Sequence, residues 1–97
     1  MIIEMEVYDL DRFLILRNLN SKYIENCSKK EFLSQYFEKL ITQEHIIYLI
    51  IDANFDVGYI WIDVAKSKEI ESYCISSYSY QKFAQNLKEL KEKYNIK

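Results

Sequence analysis

Ile46-Ile47-Tyr48-Leu49-Ile50-Ile51, then Asp52-Ala53-Asn54-Phe55-Asp56, then Val57-Gly58-Tyr59-Ile60-Trp61-Ile62-Asp63-Val64: this stretch decides the fold. The first segment is an unbroken apolar run between polar residues, the pattern of a strand buried on both faces. The second is short and polar and makes a turn. The third alternates, with Gly58, Ile60, Ile62 and Val64 on one face and Tyr59, Trp61 and Asp63 on the other. Two such segments around a short turn form an antiparallel hairpin. Ile70–Ser76, after the charged turn Lys66–Glu69, continues the run as a third strand.

Helices flank this sheet core on both sides in sequence. Ser28-Lys29-Lys30-Glu31 is a capping box, in which the Ser hydroxyl and the Glu carboxylate each satisfy an amide that the helix start leaves open. Behind it Phe32, Leu33, Tyr36, Phe37, Leu40 and Ile41 recur at helical spacing, which predicts a helix over 29–42 with that face buried. Tyr80, Phe83, Ala84, Leu87, Leu90 and Tyr94 predict a second amphipathic helix from about Tyr78 to Tyr94. At the start of the chain, Ile3, Met5 and Val7 alternate with Glu4 and Glu6, so Ile2–Tyr8 reads as a strand. Asp9 can cap a helix over Leu10–Arg17, although Phe13–Leu16 also suits a buried strand, and residues 18–27 are Asn- and Ser-rich and read as irregular. The expected architecture is α+β: one domain over residues 1–97, a mainly antiparallel sheet with helices packed on it, in the order β-α-α-β-β-β-α.

Composition narrows the function classes. At 97 residues the chain holds one core, and a domain of this size buries only about 60–65% of its unfolded surface, which leaves little room for a deep cavity. Proline is absent and Gly58 is the sole glycine, so other positions needing φ > 0 must use Asn, Asp or strain, and a glycine-rich phosphate loop is not available. No basic, apolar leader opens the chain, and no apolar run is long enough to span a bilayer. Cys27 and Cys74 lie far apart and are expected to be reduced, in a cytoplasmic protein with no membrane association. Residues 1–79 carry eight Lys/Arg against thirteen Asp/Glu, and residues 80–97 carry five Lys against two Glu. The acidic body should repel nucleic acid and attract basic partners. The lysines of the last helix flank its apolar face, with Lys82, Lys93 and Lys97 on one side and Lys88 and Lys91 on the other, as snorkelling side chains do. Direct nucleic-acid binding is therefore not expected.

The order of motifs carries a resemblance. Leu16-Arg17-Asn18, the capped helix ending in Tyr36-Phe37-Glu38-Lys39-Leu40, then Tyr48-Leu49-Ile50-Ile51 and Val57-Gly58-Tyr59-Ile60 resemble the front half of GNAT-superfamily N-acetyltransferases, over about residues 3–76. The resemblance implies a truncated GNAT-like fold. It also implies acetyl-CoA as cofactor, with its pantetheine arm on the strand at Ile70–Ser76 and its pyrophosphate in the following turn. The positions that would serve are Ile75, Ser76, Ser77, Gln81 and Lys82. The matching turn has no glycine with which to offer several amides to one anion, and the family's later strands and general-acid tyrosine have no counterpart here. The sequence therefore sets the family's fold against its activity, and acetyl-CoA binding is not expected.

Other constellations are weak. His45 is the only histidine and has no Cys or His at ligand spacing, so no metal is expected. No local motif makes a nucleophile pair of Cys27 or Cys74 with His45, and Cys74 in a strand reads as a small buried hydrophobe. Asp52, Asp56 and Asp63 read as solvated acids of a turn and strand end. The most suggestive stretch is Ser72-Tyr73-Cys74-Ile75-Ser76-Ser77-Tyr78-Ser79-Tyr80, because tyrosine gives contact area at low entropy cost and serine gives adaptable hydrogen bonds. If the aliphatic face of the strand at 57–64 meets the helices, Tyr59 and Trp61 face outward. The candidate partner surface is then Tyr59, Trp61, Asp63, Glu69, Glu71, Tyr73 and Tyr78. On this reading the chain is a non-catalytic inhibitor of the toxin-immunity or phage anti-CRISPR kind. It uses no cofactor and occludes the basic or nucleic-acid-binding surface of a nuclease toxin or nucleic-acid-guided effector. The alternative is an acetyltransferase using acetyl-CoA, its cleft completed in a homodimer.

Overall fold

The computed structural model describes residues 1–20 and 28–97. Strand β1 (Ile2–Glu4) leads through a 3₁₀ turn (Val7–Asp9) into α1 (Leu10–Leu19); α2 spans Lys29–Ile41; β2 (His45–Asp52), β3 (Phe55–Asp63) and β4 (Lys68–Cys74) follow; α3 (Tyr80–Lys93) comes last. The four strands form one antiparallel sheet in the order β1-β2-β3-β4. This is the expected α+β order. The segment at Phe13–Leu16 is helical, and the opening strand is shorter than its alternation implied, because the chain turns into the 3₁₀ segment. There Asp9 caps one turn earlier than expected: its Oδ2 accepts the Glu6 amide at 3.1 Å, and it makes no cap bond to α1. Of the segment read as irregular, 18–19 complete α1 and 21–27 lie outside the described residues, as does Cys27.

The central hairpin turns on Ala53 and Asn54, both in the left-handed region (φ 49° and 69°), between the paired residues Asp52 and Phe55. Positive φ at both central positions is the primed turn whose twist matches that of the strands. Asn suits it, whereas Ala bears the strain of a Cβ in that region. Gly58 is needed for another reason. A Cβ there would lie 2.7 Å from the Tyr73 carbonyl oxygen and 3.2 Å from Cys74 Cβ, so glycine lets β3 and β4 close up beside the end of β4.

Helices cover both faces of the sheet. On one, α1 and α2 bring Leu10, Phe13, Leu14, Leu16 and Phe32 onto Ile47, Leu49, Tyr59 and Trp61. On the other, α3 brings Phe83 and Leu90 onto Tyr48, Ile50, Val57, Ile60 and Ile62. The Ser28 cap forms, with Ser28 Oγ accepting the Glu31 amide at 3.1 Å, while the Glu31 carboxylate accepts from the Ser28 hydroxyl (3.0 Å) in place of the backbone amide expected of the box; Ser79 Oγ likewise accepts the Lys82 amide. Three positions expected in the buried faces are not there: Phe37, Ile41 and Tyr80 are exposed, at 45%, 57% and 73%, each at the edge of an apolar arc wider than the contact the helix makes with the sheet.

Candidate functional site

The aromatic face expected to meet a partner is enclosed. Tyr59 is 0% and Trp61 1% exposed, and both lie under α1 and α2. Trp61 packs edge-on against Phe13 (ring centroids 6.0 Å apart) and Tyr36 (4.8 Å), and Phe13 meets Tyr59 at 4.9 Å. Alternation showed that β3 has an aliphatic and an aromatic face. It did not show that the aliphatic one belongs to α3 while the aromatic one belongs to α1 and α2.

Asp63, expected to be solvated, is buried, as is Glu71, and each finds a partner. Glu71 is buried and takes both nitrogens of the Arg17 fork, at 3.0 and 3.3 Å. The Tyr59 hydroxyl donates to Glu71 at 2.5 Å and accepts from Asn20 Nδ2 at 3.3 Å. Asp63 is buried too; its Oδ1 accepts the Lys66 amide at 2.9 Å, and its Oδ2 lies 3.5 Å from His45 Nε2. Burial raises the Asp63 carboxyl, but the Lys66 amide, His45 and the adjacent lysines outweigh it and hold it below the usual carboxylate range. His45 Nδ1 accepts from Trp61 Nε1 at 3.2 Å. Burial lowers the imidazole's affinity for a proton more than Asp63 restores it. Trp61-His45-Asp63 is thus a buried chain that pins β2 to β3. Sequence reading missed it, although the hairpin register, which sets His45 opposite Asp63 and Ile47 opposite Trp61, is the signal that finds it.

The remaining partner candidates lie on β4 and just beyond it, half-buried. Glu69 bridges to Lys91 of α3 at 3.3 Å and accepts from Ser72 Oγ at 2.8 Å; Tyr73 packs beside Tyr59; Tyr78 packs against the α3-side core. The seven residues therefore do not form one exposed surface.

The residues assigned by family resemblance do come together, at the junction of β4 and α3. Among the described residues β4 pairs only with β3. Ile75 continues the ladder to Val57 (2.9 Å), and the Tyr78 amide turns back onto the Ile75 carbonyl (3.1 Å). Ser76, Ser77, Gln81 and Lys82 are exposed around the start of α3. Phe83 N–H closes the first helical turn onto Ser79. The amides ahead of it are those that a helix start leaves without an intrahelical acceptor, and they concentrate positive potential there. No residue from 75 to 82 has a positive φ, so the turn does not fold into the amide nest that glycines would allow. Cys74 sits at the end of β4, its thiol raised by burial. Among the described residues no group of three or more His, Cys, Asp or Glu is placed to hold a metal, and no helix is long and apolar enough to cross a membrane.

No protein-family model matches the chain, and no curated protein matches it. Among solved structures, a point mutant of the spermidine N-acetyltransferase SpeG from Vibrio cholerae superposes on 90% of this chain with a TM-score of 0.56 at 18% sequence identity. The chain spans 57% of the length of that enzyme. At this identity the likeness is one of fold, and it is the α+β, GNAT-like fold that the motif order resembles.

Proposed function

We propose that this chain is a GNAT-type acyl-CoA-binding domain, taking acetyl-CoA along the outer edge of β4 and the start of α3, and that it serves N-acetyl transfer. The observation that carries the reading is that β4, which among the described residues pairs only with β3, runs straight into the exposed, capped start of α3, within a fold shared with an N-acetyltransferase. Acetyl-CoA would supply the acyl group as a thioester. Among the described residues β4 has no second strand neighbour, and an edge strand can take an extended amide-bearing arm as an added strand. The start of α3 and the hydroxyls of Ser76 and Ser77 offer donors to a pyrophosphate, with Lys82 adding one exposed cation. These groups fit the cofactor, but with fewer converging amides than a glycine-built cradle, so affinity should be weaker than micromolar. A second wall of an acceptor cleft would have to stand beside β4, as a second copy could supply it.

The inhibitor reading loses its aromatic anchors, since Tyr59 and Trp61 are core. Calorimetric titration with acetyl-CoA tests the present one. Saturable binding, weakened about tenfold by Lys82→Glu through lost attraction and new repulsion, is expected. Absence of saturable heat at millimolar ligand, or binding indifferent to Lys82→Glu, would refute it.

A further inference from the structure

The chain Trp61-His45-Asp63 fits only one protonation state of its histidine. The indole nitrogen of Trp61 has one proton and donates it to His45 Nδ1 at 3.2 Å. Nδ1 must then carry a lone pair, and the single proton of the neutral ring sits on Nε2, which faces Asp63 Oδ2 at 3.5 Å. A further proton has only Nδ1 to bind, and there it meets the indole N–H donor to donor. Protonation of His45 and the Trp61 hydrogen bond therefore exclude each other. In a closed core such a conflict would only lower stability, but here the ring has room to move. The side chains of His45 and Asp63, 10% and 8% exposed, line a recess of about 320 Å³ that runs between α2, the β3–β4 turn and the start of β4.

The groups around the imidazole decide where a charged ring can go. Asp63 of β3 is fixed as an acceptor, because its Oδ1 is tied to the Lys66 amide at 2.9 Å and its Oδ2 is left towards His45. Glu44, beside His45 in the chain, adds a carboxylate that is bonded to Lys39 of α2 at 2.7 Å. Lys66 and Lys68 line the same recess and oppose a new cation there. Glu4 and Glu6 line the neighbouring recess that His45 also borders. Arg17 lies over the Trp61 ring, 5.6 Å from its centroid, with its fork on Glu71. Burial lowers the imidazole's affinity for a proton, and Asp63 keeps the charged form attainable while the fold persists. Tyr36 of α2 packs edge-on against Trp61 (4.8 Å) and lies 6.1 Å from the imidazole ring, so a shift of either ring is transmitted to α2.

We propose that His45 is a proton-operated latch: the neutral ring fastens the Trp61 indole to β2, and on taking a proton at Nδ1 it releases the indole, turns towards Asp63 and the recess, and loosens the end of α2 over Tyr36–Ile41 while the sheet stays folded. The change is local and precedes unfolding, so it is more than a loss of stability in acid. It does not depend on the β4–α3 junction and stands whether or not acetyl-CoA binds there. Trp61 is the sole tryptophan, so the ¹⁵N-labelled chain gives one indole cross-peak, which can be followed from pH 8 to pH 4 beside far-ultraviolet circular dichroism. At pH 8 the imidazole nitrogen spectrum should show Nδ1 without a proton. On acidification the indole cross-peak should move along a sigmoid with its midpoint below about pH 6.5, with the amides of Tyr36–Ile41 following it and the far-ultraviolet signal retained. His45→Asn should leave the indole cross-peak flat through this range. Asp63→Asn, which keeps an oxygen for the Lys66 amide, should move the midpoint about one pH unit lower through loss of the facing charge. A protonated Nδ1 at pH 8, an indole cross-peak unmoved down to pH 4, movement only together with collapse of the far-ultraviolet signal, a titration that persists in His45→Asn, or a midpoint that Asp63→Asn leaves in place would each overturn the proposal.

Discussion

Trp61→Ala separates a binding anchor from a core residue. The ring is fully buried beneath α1 and α2, packs edge-on against Phe13 and Tyr36, and donates to His45 Nδ1. Removing it deletes the largest of the fully buried side chains at the centre of that face. Truncation of a buried Phe or Trp to Ala costs about 3–5 kcal/mol, and the loss of the indole donor to His45 puts this case in the upper part of that range. A domain of ordinary stability has about 5–15 kcal/mol to lose. With a urea slope of about 2 kcal/mol per molar, a loss of about 4 kcal/mol lowers the midpoint by about 2 M. The assay is urea unfolding followed by far-ultraviolet circular dichroism, since the variant has no tryptophan to report by fluorescence. A surface anchor would instead leave the midpoint in place and change only binding. A variant destabilised by less than about 1 kcal/mol, the ordinary effect of a point substitution, would refute the burial argument.

Other outcomes follow from the same geometry. Phe37→Ala, at a half-exposed position, should change stability by no more than about 1 kcal/mol in the same urea assay, well below the cost of a core phenylalanine; a core-sized loss would mean that α2 is rotated from its described setting. Ala53→Gly relieves a Cβ held at positive φ and should raise stability by about 0.5–1 kcal/mol, measured as an increase in urea midpoint, and a decrease would contradict the primed turn. Arg17→Met strands the buried Glu71 carboxylate and should cost about 3–5 kcal/mol, with Glu71→Gln in the double variant recovering part of it; equal losses in the single and double variants would show that the pair is not coupled. For pH, His45 is held neutral by burial, so the unfolded chain binds more protons. Its contribution is full above about pH 6.5 and is lost as pH falls below that, until the folded imidazole also protonates. Asp63, held below the usual carboxylate range, acts in the same sense at lower pH: its contribution is present above about 3.9 and is lost as pH falls through the folded value. His45→Asn, which keeps an acceptor for Trp61, should flatten the slope of stability between about pH 5 and 7, and an unchanged slope would remove His45 as its source.

The element order was legible because period and caps are local. The capping box at Ser28, the alternation of Val57–Val64 and the arc around Phe83 and Leu90 each follow from contacts within a few residues. Which face of β3 receives which helices is a property of chain crossings, and the sequence carries no local mark of it; hence Tyr59 and Trp61 were placed outside. The pairing of Glu71 was illegible for a related reason: Arg17 is 54 positions away, and only the packing of α1 on β4's neighbour brings the two together. Phe37 and Tyr80 fit the helical period but lie beyond the contact arc, whose width depends on how closely each helix seats on the sheet. At the β4–α3 junction the residues named from family resemblance are adjacent, but the absence of positive φ from 75 to 82 became visible only with the backbone in place.

The claim that acetyl-CoA lies along β4 and the start of α3 is tested most directly by nuclear magnetic resonance titration of the ¹⁵N-labelled chain with acetyl-CoA. The account expects saturable shifts confined to the β4 edge, Lys68–Cys74, and to residues 75–82, with Lys82→Glu weakening the response about tenfold through the lost charge. A spectrum unmoved at millimolar acetyl-CoA, or one whose shifts gather elsewhere, would contradict it.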